Sequence, residues 1–170
     1  MITIDDVKGY YPTADPVHGF SHIQRVLNLC RKIGEKEGAD WEILRAAALL
    51  HDLEGDLDSR DGHQLAAADK AEEILARDGW EQESIEAVKH CIRAHRFRDQ
   101  REKPGTIEAR VLFDADKLDA IGAVGIARAF GYAVRAGQDL YQLPSKKFLE
   151  NSEREPGEAH TPYHEYLYKL

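Results

Sequence analysis

The chain has 170 residues, of which 42% are hydrophobic and 32% are charged, and these values predict one soluble domain with a core of its own. No segment approaches the roughly eighteen consecutive apolar residues of a membrane-spanning helix, and residues 1–10 lack the features of a secretory signal or transit peptide, so we expect a cytoplasmic protein without a membrane partner. The formal net charge of −8 repels phosphate backbones and excludes long nucleic acid as an expected ligand.

Apolar residues recur at helical spacing along the chain, and no segment shows sustained alternation with a period of two. This pattern predicts an all-α fold, with residues 1–170 forming a single compact helical bundle whose core covers about 15–135. The predicted helices, in chain order, are 4–10, 18–37, 40–51, 64–77, 84–95, 107–135 and 163–170. Segment 107–135 is predicted to be one long helix or two helices that meet near Asp119. Segment 137–162 is predicted to be irregular surface chain.

Several single residues support this helical interpretation. Gly38 is predicted to end the second long helix, and Asp40 is predicted to cap the start of the next one. Cys30 and Cys91 both lie within helical patterns, and their spacing matches neither a disulfide framework nor a zinc ribbon. We therefore predict two small buried side chains in a reducing compartment.

The dipeptide His51-Asp52 places two strong metal ligands at the end of a predicted helix whose preceding residues, 46–50, are all apolar. An unpaired carboxylate at the edge of a core is costly, and a metal ion is one of the few partners that makes this position favourable. Helix capping is the alternative, because His51 could cap its own helix and Asp52 the next segment. The dipeptide alone leaves both interpretations open.

Two other polar residues lie in phase with the core on separate helices. His22 precedes Val26, Leu29 and Ile33 at steps of four, three and four, which puts its imidazole on the buried face. Asp116 also lies within a mostly apolar helix. One such residue is usually a satisfied core histidine or half of an ion pair, but three helices that each contribute one are harder to explain in this way. Together with the His-Asp dipeptide they would form a site of two imidazoles and two carboxylates, which suits a divalent ion.

The same residues lie in three stretches with a recognisable order: His22-Ile-Gln-Arg-Val, Ala48-Leu-Leu-His-Asp and Ala115-Asp-Lys-Leu-Asp-Ala. Over about residues 15–135 this order resembles the H…HD…D signature of the HD-domain superfamily of metal-dependent phosphohydrolases. The resemblance implies a helical bundle of the HD-domain type in which His22, His51, Asp52 and Asp116 bind a divalent metal. The chain is similar in particular to small stand-alone members, some of which resemble nucleotide pyrophosphohydrolases.

The resemblance implies that a metal-activated water hydrolyses a phosphate ester or anhydride. Two carboxylates just after the His-Asp dipeptide, Glu54 and Asp56, are predicted to act as general base or to hold the attacking water. A solvated acidic loop is the alternative for each of them.

Cations close to the predicted ligands are expected to bind phosphate, because a phosphoryl-transfer site mostly supplies positioning and positive charge. Lys117 and Arg25 are predicted to pair either with phosphate or with the carboxylates Asp52 and Asp119. Arg96 lies in a local basic segment of an acidic chain, and we predict that it binds nucleotide phosphates. A solvated loop face is the alternative for Arg96.

Three further histidines are candidates for a second metal or for substrate contact. Some HD proteins that resemble binuclear enzymes use histidines between the His-Asp pair and the last aspartate, which points to His90, His95 and, less strongly, His63. The spacing of five between His90 and His95 does not put them on one helix face, so they would not chelate one ion in a simple way. Helix capping is the alternative for His63.

The expected cofactor is therefore a divalent metal ion, with manganese, iron, cobalt, magnesium, nickel and zinc left open. The expected partner is a small phosphorylated substrate, a nucleotide by resemblance. Nothing in the sequence determines the oligomeric state, and a homodimer is left open. Two alternative functions remain at this stage. One is a di-iron oxygenase of the HD type, which needs two irons, and the other is a non-catalytic regulator that binds metal or nucleotide.

Overall fold

The computed structural model describes residues 2–11, 19–53, 63–96 and 102–169 of the chain. Within these ranges all regular secondary structure is α-helical, which confirms the predicted all-α fold. The chain divides into two compact units, residues 1–119 and 120–170. The single domain over 1–170 stays a prediction. Among the helices of the described ranges, none has the length and apolar character required to cross a membrane.

The first unit contains six of the described helices: α1 (Ile4–Lys8), α2 (Phe20–Glu37), α3 (Trp41–Leu50), α4 (His63–Arg77), α5 (Gln82–Ala94) and α6 (Ile107–Asp119). The second unit contains three: α7 (Gly122–Arg135), α8 (Lys146–Asn151) and α9 (Pro162–Lys169).

The turn between α2 and α3 has the helix-ending and helix-capping residues that the sequence predicts. Gly38 adopts the left-handed conformation with φ 73°, and its N–H donates to the carbonyl oxygen of Gly34 at the end of α2. Asp40 caps α3, since its side chain accepts hydrogen bonds from the backbone N–H groups of Glu42 and Ile43. The short connection therefore sets α2 and α3 side by side.

Helix α3 is the central helix of the first unit. Leu44 and residues 46–50 are completely buried, and α3 packs against α2, α5 and α6. The approach to α2 is close, because a Cβ added at Gly34 would lie only 2.6 Å from Cδ2 of Leu44. Since α3 is buried along its last two turns, its C-terminal end carries residue 51 into the interior of the bundle and residue 52 to the edge of that interior.

The structure confirms one of the two alternatives predicted for segment 107–135 and differs from the prediction for segment 137–162. Segment 107–135 is two helices, because α6 ends at Asp119 and α7 begins at Gly122. The prediction that 137–162 is irregular was wrong in part, since α8 covers Lys146–Asn151. This helix has only six residues and begins with Ser145, whose hydroxyl accepts from the N–H of Phe148. One turn and a half of helix leaves little periodic pattern in the sequence. The capping residue Ser145 was the feature that could have indicated this helix.

Glu158 organises the loop segments of the second unit. Its carboxylate accepts hydrogen bonds from the backbone N–H and the hydroxyl of Ser145, from the N–H of Glu155 and from Nε2 of His164. Burial by itself would raise the pKa of Glu158, but these donors outweigh it and lower the pKa to about 2. The ionised carboxylate therefore ties together chain that lies between α7 and α9.

Gly125 is required by a close backbone approach within the second unit. A Cβ at this position would lie 2.1 Å from the carbonyl oxygen of Ala120 and 3.1 Å from the hydroxyl of Tyr166. We expect Gly125→Ala to lower the free energy of unfolding by about 1–3 kcal/mol, because backbone cannot move aside as a side chain can. Denaturant unfolding followed by circular dichroism measures the change. Gly9→Ala is the matched control, since nothing lies within 4 Å of a Cβ there, and equal stability of the two variants would contradict the prediction.

Candidate metal centre

His51 and Asp52 are placed by the end of α3. His51 is the C-terminal cap residue of this helix, and its Nδ1–H donates to the carbonyl oxygen of Ala48 at 2.9 Å. This bond leaves the other nitrogen, Nε2, as the acceptor of the ring. His51 is 1% exposed, and its Nε2 finds no hydrogen-bond partner among the residues that the structure describes. The helix end therefore presents a buried nitrogen lone pair.

The predicted ligands come from α2, the end of α3 and α6, and they lie together. One ligand atom each of His22, His51 and Asp52 lies within 4.8 Å of the others. Asp116 adjoins this group, because its Oδ1 is 3.4 Å from Nε2 of His22. Ligand atoms bonded to one ion at roughly 2.0–2.3 Å lie at most about 4.6 Å apart, so a separation of up to 4.8 Å is close to that of a metal site.

The electrostatics of the group suit a cation. Burial alone would raise the pKa of Asp52, but the imidazoles of His51 and His22 outweigh it and hold this pKa below its usual value. Burial also opposes ionisation of Asp116, whereas the ammonium group of Lys117 holds its pKa well below the usual range. Burial lowers the pKa of His51, so its ring is neutral at neutral pH. Ionised carboxylates and neutral imidazoles are the protonation states that bind metals.

Two of the additional histidines extend the same cluster. The ring of His95 lies 5.2 Å from that of His51 between centroids, and the ring of His63 lies 5.9 Å from that of His95. His95 is buried at the end of α5, and its Nδ1–H donates to the carbonyl oxygen of Ile92 at 2.5 Å. Burial, followed by the neighbouring His51, lowers the pKa of His95 to about 4.

His90 belongs to a different group of side chains. Its Nδ1–H donates to Glu102 at 2.5 Å, and its Nε2 accepts from the backbone N–H of Gly105 at 3.1 Å. Arg93 pairs with the same Glu102. Both ring nitrogens of His90 are thus engaged in holding the segment before α6, so this geometry disfavours the predicted role in metal or substrate binding.

The predicted cations take three different positions. Arg25 pairs with Asp119 through two hydrogen bonds, of 2.6 and 3.1 Å, which is the second of the two pairings considered for it. Lys117 donates to Oδ2 of Asp116 at 2.6 Å and to the carbonyl oxygen of His95 at 3.3 Å. Arg96 donates to the side chain of Gln64 at 3.3 Å. Lys117 is therefore the cation in direct contact with a predicted metal ligand.

Other carboxylates complete the comparison with the predictions. Glu54 and Asp56, the predicted general bases, lie outside the described residues. Asp119 was predicted only as a partner for a cation, yet its Oδ2 also accepts from Nδ1 of His22 at 2.7 Å. The available signal was its position three residues after Asp116 on one helix, which puts both carboxylates on the same face.

The part of the chain that holds this group matches a known family. A family model described as HD domain matches residues 19–121, a range that includes all four predicted ligands. The chain therefore belongs to the HD domain family.

Two known proteins resemble the chain over most of its length. It is 42% identical over 127 residues to the uncharacterized protein YpgQ of Bacillus subtilis. This match covers 73% of this chain and 61% of YpgQ. A second relative, from Clostridium beijerinckii, is 29% identical over 108 residues. This match covers 61% of this chain and 66% of the relative. The matches thus span less than two thirds of either relative.

Solved structures resemble the fold as well. The structure of B. subtilis YpgQ in complex with ADP has a TM-score of 0.65 at 37% identity and covers 88% of this chain and 79% of that one. A predicted HD superfamily hydrolase from an uncultured Thermotogales bacterium has a TM-score of 0.63 at 34% identity, with 76% and 72% covered.

Proposed function

We propose that the protein is a divalent-metal-dependent phosphohydrolase that acts on a phosphate ester or anhydride of a small nucleotide. The observation that carries this proposal is Nε2 of His51, which is buried without a partner in the described part of the chain. Such a nitrogen costs free energy unless something binds it, and it belongs to a residue grouped with His22 and Asp52. A metal ion satisfies this nitrogen, and His22, His51, Asp52 and Asp116 are the side chains that would hold it.

A divalent ion in such a site supplies a water of lowered pKa and positive charge for a phosphate oxygen. The ligand set of imidazole nitrogens and carboxylate oxygens leaves manganese, iron, cobalt, magnesium, nickel and zinc as candidates. Lys117 keeps Asp116 ionised and adds an ammonium group at the edge of the site. Glu54 and Asp56 remain the proposed groups that accept a proton from the attacking water.

Two observations support a nucleotide as the substrate. YpgQ, which is 37% identical in the structural comparison, was crystallised in complex with ADP. The net charge of −8 favours a short phosphorylated ligand over a long nucleic acid, since the surface repels an extended phosphate backbone. The cytoplasmic location and a homodimer stay predictions.

We also propose that His95 and His63, which extend the cluster, bind a second metal ion of the hydrolase. The ring of His95 lies next to that of His51, and its Nδ1–H is already donated to its own helix, which leaves Nε2 as an acceptor. Arg96 lies one residue further along the chain and is proposed to contact substrate phosphate. Metal content per chain tests the point. Two ions per chain without oxygen consumption support the second site, one ion overturns it and leaves the mononuclear hydrolase, and two irons with oxygen consumption support the oxygenase alternative.

The experiment that tests the hydrolase is a substrate screen. Purified protein loaded with manganese would be incubated with nucleoside triphosphates and diphosphates, cyclic nucleotides, guanosine tetraphosphate and a generic phosphodiester. Release of phosphate, pyrophosphate or alcohol is measured against the Asp52→Ala variant. We expect turnover of at least one nucleotide by the original protein alone. Binding without turnover of any compound would favour the regulator alternative and overturn the hydrolase.

Lys117→Gln is expected to raise KM for the phosphorylated substrate about 10–100-fold, because a charged hydrogen bond to phosphate contributes roughly 1.5–3 kcal/mol. Steady-state kinetics with saturating manganese measure the effect. Lys70→Gln is the matched control, since this lysine is 41% exposed and pairs with Glu73 on α4. An unchanged KM in Lys117→Gln would remove Lys117 from substrate binding.

A further inference from the structure

The tautomer of His22 is determined by a carboxylate on another helix. Nδ1 of His22 lies 2.7 Å from Oδ2 of Asp119, and both side chains are almost completely buried. An ionised carboxylate only accepts hydrogen bonds, so Nδ1 of His22 is the donor in this contact and carries a proton. With a metal bound, Nε2 would supply the lone pair, and it lies 3.4 Å from Oδ1 of Asp116. Two acceptors that face each other at this distance are suited to share a cation.

Arg25 holds Asp119 in this position. Its Nε donates to Oδ1 of Asp119 at 2.6 Å, and its Nη2 donates to Oδ2 at 3.1 Å. This two-pronged pairing keeps the carboxylate ionised and limits its rotation. Arg25 lies three residues after His22 on α2, so the histidine and the arginine approach Asp119 from the same helix face. The guanidinium is thereby directed to Asp119.

The other buried imidazoles of the cluster are fixed differently. His51 and His95 each donate Nδ1–H to a carbonyl oxygen three residues earlier, Ala48 for the first and Ile92 for the second. Each of these acceptors belongs to the histidine's own helix. The hydrogen bond therefore forms whenever the end of that helix forms. The acceptor for His22 is 97 residues away along the chain. His22 therefore depends on a side chain that one substitution can remove.

We propose that Asp119, held by Arg25, is a positioning residue that keeps His22 protonated at Nδ1 and presents Nε2 as a metal ligand. The inference rests on the metal centre proposed above. It also gives Arg25 a role in supporting a ligand instead of a direct contact with phosphate. Partners of this kind behind a metal-bound histidine typically change metal affinity by about 10–100-fold when they are removed.

The first test measures the affinity for Mn²⁺ alone, with free manganese followed by electron paramagnetic resonance. Asp119→Asn keeps the shape of the side chain and removes its charge, and we expect binding about 10–100-fold weaker. Glu35→Gln is the matched control, because this carboxylate is 65% exposed on α2. Arg25→Gln should weaken binding in the same direction, while Arg31→Gln, at a position 68% exposed, should not.

The second test reads the tautomer directly in metal-free protein at pH 8. Two-bond ¹⁵N–¹H correlation spectra distinguish a proton on Nδ1 from one on Nε2, and the His22 signals are assigned by their loss in His22→Gln. We expect the Nδ1–H form in the original protein and a shift toward the Nε2–H form in Asp119→Ala. Circular dichroism of the same samples shows whether the variant is folded, and Asp119→Asn provides the second reading if Asp119→Ala is not.

The outcomes separate this inference from the proposed function. Unchanged manganese affinity in Asp119→Asn, or an Nε2–H form of His22 in the original protein, overturns the positioning role. Failure of the original protein to bind manganese or any of the other candidate ions overturns the proposed metal centre, and with it the role of Asp119 toward a metal. Weaker binding together with the tautomer shift supports the inference, whichever substrate is hydrolysed.

Discussion

Asp52→Asn is expected to abolish tight manganese binding and to lower kcat/KM by about 10³-fold or more, a loss of roughly 4 kcal/mol of transition-state stabilisation. Asp52 shares its group with His22 and His51, and its pKa lies below the usual value, so its carboxylate is ionised at neutral pH. An amide of the same shape keeps the packing but removes the negative charge. The remaining ligands would then bind a divalent ion with less charge compensation.

Metal content after dialysis and initial rates on the substrate found in the screen measure this effect. Asp69→Asn makes the same chemical change at a side chain that is 77% exposed on α4, and it should leave both quantities unaltered. Circular dichroism of the metal-free proteins checks that Asp52→Asn still folds. Full activity of a folded, metal-free Asp52→Asn protein would show that hydrolysis does not depend on this site.

Acidification is expected to destabilise the metal-free protein between pH 6.5 and 4. Burial lowers the pKa of His95 to about 4, while the unfolded chain has a histidine pKa near 6.5. Between these values the unfolded chain binds more protons than the folded one, so the free energy of unfolding falls as the pH falls. His95 alone contributes a loss on the order of 2 kcal/mol from pH 7.5 to pH 5. His51 acts in the same direction, because burial lowers its pKa as well.

Urea unfolding in the presence of a chelator, at pH 7.5 and pH 5, measures this change. His95→Gln is the informative comparison, since glutamine does not titrate and the variant should lose less stability between the two pH values. Above pH 6.5 both states of His95 are neutral, and stability should not depend on this residue's protonation. A protein as stable at pH 5 as at pH 7.5 would mean that the buried histidines are not held in the neutral form.

Much of the first unit could be predicted from local patterns. Helical periodicity indicated α2 and α3, and the glycine and aspartate between them marked where one helix ends and the next begins. The phase of His22 on α2 and of Asp116 on α6 indicated that both side chains face the interior. Their meeting with His51 and Asp52 required three helices to pack around α3, which the periodicity implied only as a bundle.

The roles of the accessory histidines could not be predicted from their spacing. His90 and His95 are five residues apart on α5, so they project in different directions. The structure places His95 against His51, whereas His90 contacts Glu102 and the backbone of Gly105. From the sequence, either residue looked suitable as a ligand. Which of them lies at the metal site depends on the neighbouring helix that each face of α5 contacts.

The sequence by itself determined the helical class, the caps of α3 and the set of polar residues in phase with the core, because all of these depend on neighbours a few positions away. Only the tertiary structure decided which side chains meet. Asp119 and His22 are 97 residues apart, and their hydrogen bond exists because α6 packs against α2. Pairings between distant helices depend on how buried surfaces fit together, which no local pattern contains.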